Sequence, residues 1–222
     1  MLTSTTLSST PNGWKAAITL EELGVTYETV AIDMKSNQQK EDWYLKINPN
    51  GRIPAMVDHT KNDFCVFESG AMMLYLCDLY DPNHTLLPEE PLARSKVMQF
   101  LMFQMGGIGP MQGQANHFSK FAPEKIPYAV KRYIDETKRL YEVLEIALEG
   151  QDYLANNQYS IADIASFSWV KWAILLDISL DEFPRVKSWA ERIEARPAVQ
   201  KGMLVPNDFG YNWLKQVAAE KN

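Results

Sequence analysis

Apolar positions along this chain change their spacing near residue 80, and the change divides the sequence. Before it, short apolar runs alternate with helical patterns. Leu2 to Leu7, rich in threonine and serine, predicts a first strand. Thr10-Pro11-Asn12-Gly13 is turn chemistry. Trp14 to Leu23 then sets Trp14, Ala17, Ile18, Leu20 and Leu23 largely on one side of a helix that Gly24 stops. Tyr27 to Ile32 alternates β-branched and polar residues and predicts a second strand. Gln39 to Ile47 predicts a modest helix. Ala55 to Val57 and Phe64 to Phe67 predict two more strands, split by the polar turn His59-Thr60-Lys61-Asn62. Ser69 to Tyr80 predicts a helix that buries Met72, Met73, Leu76 and Leu79. The order βαβ then ββα is that of the thioredoxin fold.

Prolines and acidic residues cluster from Asp81-Pro82-Asn83-His84 through Pro88-Glu89-Glu90-Pro91, and the periodicity breaks. The pattern therefore predicts an α/β domain over 1–81, a linker over 82–91, and an all-helical domain over 92–222. Leu92 to Met105 is amphipathic and is expected to end at Gly106-Gly107-Ile108-Gly109-Pro110. Pro127 to Leu148 is a long helix with Tyr133, Thr137, Leu140, Tyr141 and Leu144 along one side, terminated by Gly150. Ser160-Ile161-Ala162-Asp163 is a capping box with Tyr159 as its staple. The run behind it, Ala165 to Leu176, is apolar nearly all round and predicts a buried core helix. Pro184 and Pro197 open two further helices.

Composition narrows the classes. The 222 residues carry a net charge of -6, which argues against a nucleic-acid binder. No apolar run approaches a membrane span, and the first residues lack the pattern of a signal peptide. Cys65 and Cys77 are the only cysteines, so there is no disulfide framework; both sit in apolar contexts and are expected to be buried. These features predict a cytoplasmic protein. No metal signature is present.

The chemistry concentrates in Asn48-Pro49-Asn50-Gly51-Arg52-Ile53-Pro54-Ala55, followed by Glu68-Ser69-Gly70-Ala71. The first half is a turn, with Gly51 suited to positive φ. Pro54 has no N–H for a sheet ladder, so it belongs at the entry of a strand. The backbone of Ile53 is then available to a peptide-like ligand lying alongside as an extra strand. The helix beginning after Glu68 offers unpaired N–H groups and a positive dipole end, which suit a carboxylate.

These two motifs, in this order, resemble the glutathione-binding half of cytosolic glutathione transferases, where the proline at Pro54 is cis. The capping box resembles the one in that family's helical domain, so the likeness runs through almost the whole chain. The resemblance implies a thioredoxin-like domain followed by an α-helical transferase domain, with glutathione as co-substrate, and a homodimer. Thr10-Pro11-Asn12-Gly13-Trp14-Lys15 resembles a fungal and bacterial subgroup that includes Nu-class transferases and a yeast nitrogen regulator. In that subgroup an asparagine in this loop contacts the thiol.

A free thiol has a pKa near 8.5, so only a few per cent is thiolate at pH 7. A helix dipole and an amide donor at Asn12 would favour the anion; Ser9 and Thr10 are further candidates. Turn or cap duty for Asn12 is the plain alternative, and the two roles can coexist. The resemblance also implies that Glu68 holds the γ-glutamyl amine, that Ser69 holds the adjacent carboxylate, and that Ile53 pairs with the cysteinyl unit. Gln39 and Arg52 become candidates for the glycyl end, with solvated surface residues as the alternative. Arg132 is placed near the pocket by the same likeness, against an ordinary helix ion pair. His117, with Phe118 and Phe121, is a candidate for the second-substrate pocket, against the plainer reading of a packed or surface histidine.

The redox version of the thioredoxin fold carries Cys-x-x-Cys after its first strand, and this chain has none. Any thiol chemistry must use a ligand's thiol. The implied reactions are attack of a glutathione thiolate on small electrophiles, disulfides or peroxides, and a non-catalytic binding or regulatory protein is the reading from another class.

Overall fold

The computed structural model describes residues 3–7 and 9–220. They form two compact units, one of the described residues within 3–87 and 195–213, the other of residues 88–194 with 214–220.

The first unit is built on a four-stranded sheet in the order β2-β1-β3-β4. Strand β1 (Thr3–Leu7) runs parallel to β2 (Tyr27–Ala31) and antiparallel to β3 (Ala55–Asp58), which pairs antiparallel with β4 (Phe64–Phe67). Because successive side chains of a strand face opposite ways, each face buries a different set. Met56 and Val66 face a core with Ala16, Ala17 and Leu20 of α1 (Pro11–Glu22) and Met72 and Leu76 of α3 (Ser69–Tyr80). Ala55 faces the other way, with Ile32 and with Tyr44 of α2 (Asp42–Ile47).

Helix α9 (Pro197–Met203) returns from far along the chain to lie on α1. A Cβ on Gly202 would sit 2.7 Å from the Ile18 Cα, so only glycine allows this approach. Arg196, just ahead of α9, grips Glu22 with Nε donating to Oε1 at 2.7 Å and Nη2 to Oε2 at 2.9 Å.

Several expectations change. Helix α1 begins at Pro11 rather than Trp14, because Thr10 caps it and proline at the first helical position forgoes an N–H that has no partner there. The helix expected over 39–47 is a 3-10 turn at Gln38–Lys40 followed by α2. Leu79 is 46% exposed, since the buried stripe of α3 runs through Met72, Met73, Leu76 and Cys77 and leaves Leu79 beside it. Cys65 is exposed, not buried. It lies on edge strand β4 opposite the inward Val66, on the face that six-residue α2 leaves partly uncovered.

The second unit is helical. The chain does not stop at Gly106–Pro110: α4 (Pro91–Phe103) passes through a π-helical turn (Gln104–Ile108) into α5 (Gly109–Asn116) and a second π turn (His117–Phe121). The wider π turn lets Pro110 fall in the first turn of α5, where its missing N–H is harmless. Helix α6 (Pro127–Ala147) buries Thr137, Leu140, Tyr141 and Leu144 of the expected stripe, while Tyr133 at its head is half-buried. Helix α7 (Ile161–Val170) is buried along its whole length behind the Ser160–Asp163 capping box. Helix α8 (Pro184–Glu194) packs Trp189 beside it, and α10 (Phe209–Glu220) closes the described chain.

Candidate functional site

Strand register decides what meets what in the first unit. Thr6 of β1 pairs with Ala55 of β3, and Ala55 pairs with Phe67 of β4. The segment after β1 (Ser9, Thr10, Asn12), the segment before β3 (Arg52, Ile53, Pro54) and the segment after β4 (Glu68, Ser69) therefore leave the sheet at the same end. Leu7 pairs with Ala31, so the loop carrying Gln39 starts there too. This is where the strand order switches direction about β1, a favoured place for a ligand in an open sheet.

The loop before β3 is held by Asn48, a buried residue whose Nδ2 donates to the Arg52 carbonyl at 2.7 Å. The Tyr44 hydroxyl donates to the same carbonyl at 2.7 Å. Asn48 Oδ1 accepts the Asn50 N–H at 3.0 Å, and its carbonyl accepts the Gly51 N–H at 2.9 Å. Gly51 has φ +59, and a Cβ there would lie 2.8 Å from the Gln39 carbonyl oxygen, so glycine is needed twice over. Ile53 follows, half-buried, with a cis bond to Pro54, and the ladder starts only at Ala55. Arg52 is exposed. Gln39 is buried, its Nε2 3.4 Å from Asn37 Oδ1; its Oε1 is a buried acceptor with no hydrogen-bond partner among the described residues.

At the start of α1, Thr10 Oγ1 accepts the Gly13 N–H at 3.2 Å. Asn12 lies half-buried inside the first turn rather than ahead of it. Ser9 Oγ donates to the Asn207 carbonyl at 3.2 Å, and a Cβ on Gly210 would stand 2.6 Å from the Ser9 Cβ, so the C-terminal segment rests on Ser9.

Glu68 has φ 70 and ψ 118, a conformation that side-chain-bearing residues rarely adopt. Its carbonyl accepts the Met72 N–H at 2.9 Å and so opens α3, while its side chain makes no capping bond and is exposed. Ser69 and Gly70, the first residues of α3, are buried. Lys15 of α1 is 1% exposed, and its Nζ reaches Ser69 Oγ at 3.5 Å. Burial pushes the Lys15 amine down to about 7, against the pull of the Glu68 charge.

Arg132 belongs to the second unit. It lies exposed on α6 in a groove of about 590 Å³ with Met111, Tyr128, Lys131 and Tyr133. His117 is exposed and packs its ring on Phe118, which stacks on Tyr133; Phe121 is 67% exposed. Two residues of the first unit have roles that the sequence reading did not assign. Asn48 was legible as part of Asn-Pro-x-Gly, where an asparagine often bonds its own turn. Lys15 had no such signal, because a lysine in a helix ordinarily reads as surface. Among the described residues no cluster of His, Cys, Asp or Glu could hold a metal, and no helix is long and apolar enough to cross a membrane.

Residues 4–78 match the family described as Glutathione S-transferase, N-terminal domain, and residues 109–197 match its C-terminal domain. The chain is 43% identical over 199 residues to the disulfide-bond oxidoreductase YfcG of Escherichia coli, covering 88% of this chain and 91% of that one. It is 34% identical to the transcriptional regulator URE2 of Saccharomyces cerevisiae over 231 residues, covering 88% of this chain and 65% of the relative. A crystal structure of a glutathione transferase homologue from Lodderomyces elongisporus, with two GSH per subunit, superposes with a TM-score of 0.90 at 38% identity; it covers 93% of this chain and 99% of that one.

Proposed function

This chain belongs to the glutathione S-transferase family, and from that membership we propose that it binds glutathione at the shared end of β1, β3 and β4 and spends the thiol on small disulfides. The observation that carries this reading is the register Thr6–Ala55–Phe67, which gathers a strand-like slot, an acidic residue and two helix N-termini at one end of the sheet.

The peptide lies extended beside Ile53, whose backbone precedes the ladder. Glu68 takes the γ-glutamyl amine, and the first turn of α3 with Ser69 takes the carboxylate. Gln39 and Arg52 face the glycyl end. On the family likeness we assign the thiol contact to the Asn12 amide; Ser9, which donates to Asn207, and Thr10, which accepts the Gly13 N–H, are the further candidates. An amide donor and a dipole end both favour thiolate over thiol, and each pKa unit gained corresponds to about 1.4 kcal/mol.

The thiolate attacks one sulfur of a disulfide, forming a mixed disulfide with glutathione and expelling the other sulfur as a thiolate that takes up a proton. A second glutathione thiolate attacks the mixed disulfide, releasing oxidised glutathione and the second thiol. Two glutathiones supply the two electrons. A relative named as a disulfide-bond oxidoreductase and another carrying two GSH per subunit support this stoichiometry.

The test is glutathione-dependent reduction of bis(2-hydroxyethyl) disulfide, followed through glutathione reductase and NADPH. Turnover well above the uncatalysed rate is expected. Glutathione binding with no disulfide turnover overturns the reductase assignment; turnover of an aryl halide instead would make conjugation the reaction. Likeness to a transcriptional regulator supports a second reading, a glutathione-binding protein without turnover, and inactivity toward both substrate classes would select it.

A further inference from the structure

We infer that Lys15 is a positioning residue for the amino-acid end of the ligand: from inside the fold it orients the Ser69 hydroxyl and sets a positive charge behind the carboxylate. This rests on the glutathione reading above. The binding slot described there gives Lys15 no role of its own, yet the lysine lies directly behind Ser69, one of its residues. Its Nζ donates to Ser69 Oγ at 3.5 Å, and both side chains are nearly inaccessible to solvent, 1% and 3% exposed.

A hydroxyl has one proton. When Ser69 Oγ accepts from Lys15, its own proton turns away from the lysine, and a hydroxyl that accepts a hydrogen bond is a better donor. An alkylammonium is expensive to bury unless something compensates it. Two groups that act on Lys15 here are Ser69 and Glu68, the pair assigned to the ligand's carboxylate and amine. Ser69 is buried in front of the cation, and Glu68 is exposed beside it. That polarity sorts the zwitterionic head group: the carboxylate settles over Ser69 and Lys15, and the ammonium over Glu68. Lys15 thus discriminates for an α-amino acid end, rather than adding affinity for any thiol peptide.

The experiment compares two ligands by calorimetry at about pH 6, where Lys15 carries its proton: glutathione and its analogue lacking the γ-glutamyl α-carboxylate, 4-aminobutyryl-cysteinyl-glycine. Lys15→Met, similar in length and uncharged, is expected to fold with an unchanged or raised thermal midpoint. Its glutathione affinity should fall about tenfold or more, the effect of losing one charge-assisted contact. Its affinity for the decarboxy analogue should match that of the unaltered protein, so the preference for glutathione collapses. Equal weakening of both ligands, or an unchanged glutathione affinity, overturns the inference. Should Lys15→Met not fold, Lys15→Gln takes the same comparison. A chain that folds with neither substitution also overturns it, because the lysine is then structural. An unaltered protein that fails to bind glutathione overturns the functional reading itself and this inference with it.

Discussion

Trp189 donates its indole N–H to Asp163 Oδ1 at 2.9 Å, tying α8 to the cap of α7 across 26 residues of sequence. The same oxygen accepts the Leu154 N–H at 2.9 Å, and Oδ2 accepts the Ser160 N–H and hydroxyl, each at 3.0 Å. Burial pushes this carboxyl up to about 6, and the four donors restrain the rise. Asp163→Asn keeps the shape but turns an NH₂ toward two of those donors. Stability is expected to fall by about 2–4 kcal/mol, the range for buried polar groups left without partners or facing like groups. Chemical denaturation measures it, and a loss below about 1 kcal/mol would show that the network is not what holds the two helices.

Glu68 stands at φ 70 with a side chain, a conformation glycine adopts freely. Glu68→Gly is expected to raise stability by about 1 kcal/mol while glutathione retention is lost. Glu68→Ala should lose retention without the gain. A protein that stays on immobilised glutathione after either change would move the amine contact elsewhere.

Asn12 lies in the first turn of α1, whose cap is supplied by Thr10, so removing its amide leaves the cap intact. Asn12→Ala is expected to lower kcat at least tenfold, about 1.4 kcal/mol of lost thiolate stabilisation, with a smaller change in glutathione Kd. Steady-state kinetics beside calorimetry separates the two. Unchanged turnover would return the thiol contact to Ser9 or Thr10.

Lys15 makes stability depend on alkaline pH in a definite sense. Its folded value of about 7 lies below the ordinary 10.5. Below pH 7 both folded and unfolded chains hold the proton, and the penalty of burying the charge is present in full. Above it the folded chain releases the proton while the unfolded chain keeps it, so this group adds stability as pH rises toward 10.5, by about 1.4 kcal/mol per unit. Urea titrations from about pH 6 to about pH 9 should show the unaltered protein gaining on Lys15→Met. Parallel curves for the two proteins would mean that the amine is not held in a low-dielectric site.

What the sequence determined by itself is what short-range chemistry controls. Helix α3 runs from Ser69 to Tyr80 as its spacing predicts, and Ser160 with Asp163 closes the capping box that the motif announces. The loop 48–54 forms its turn and presents Ile53 ahead of the ladder, because asparagine bonds its own turn, glycine permits the positive φ and proline fixes its own. Family motifs were readable for the same reason: they are contiguous.

Only the tertiary structure decided what depends on neighbours distant in the chain. Cys65 is apolar in its surroundings by sequence yet exposed, because its strand lies at a sheet edge. Gly106 to Pro110 reads as a helix end, but packing favours continuation through a π turn, with Gly107 approached by Leu140 of α6 and Gly109 by Trp169 of α7. Lys15 is a surface residue by type and a buried one in fact, since α3 lies against α1 at that point and brings Ser69 to its amine. Burial and electrostatic environment belong to pairs of elements, and a single segment carries no record of which surface will cover it.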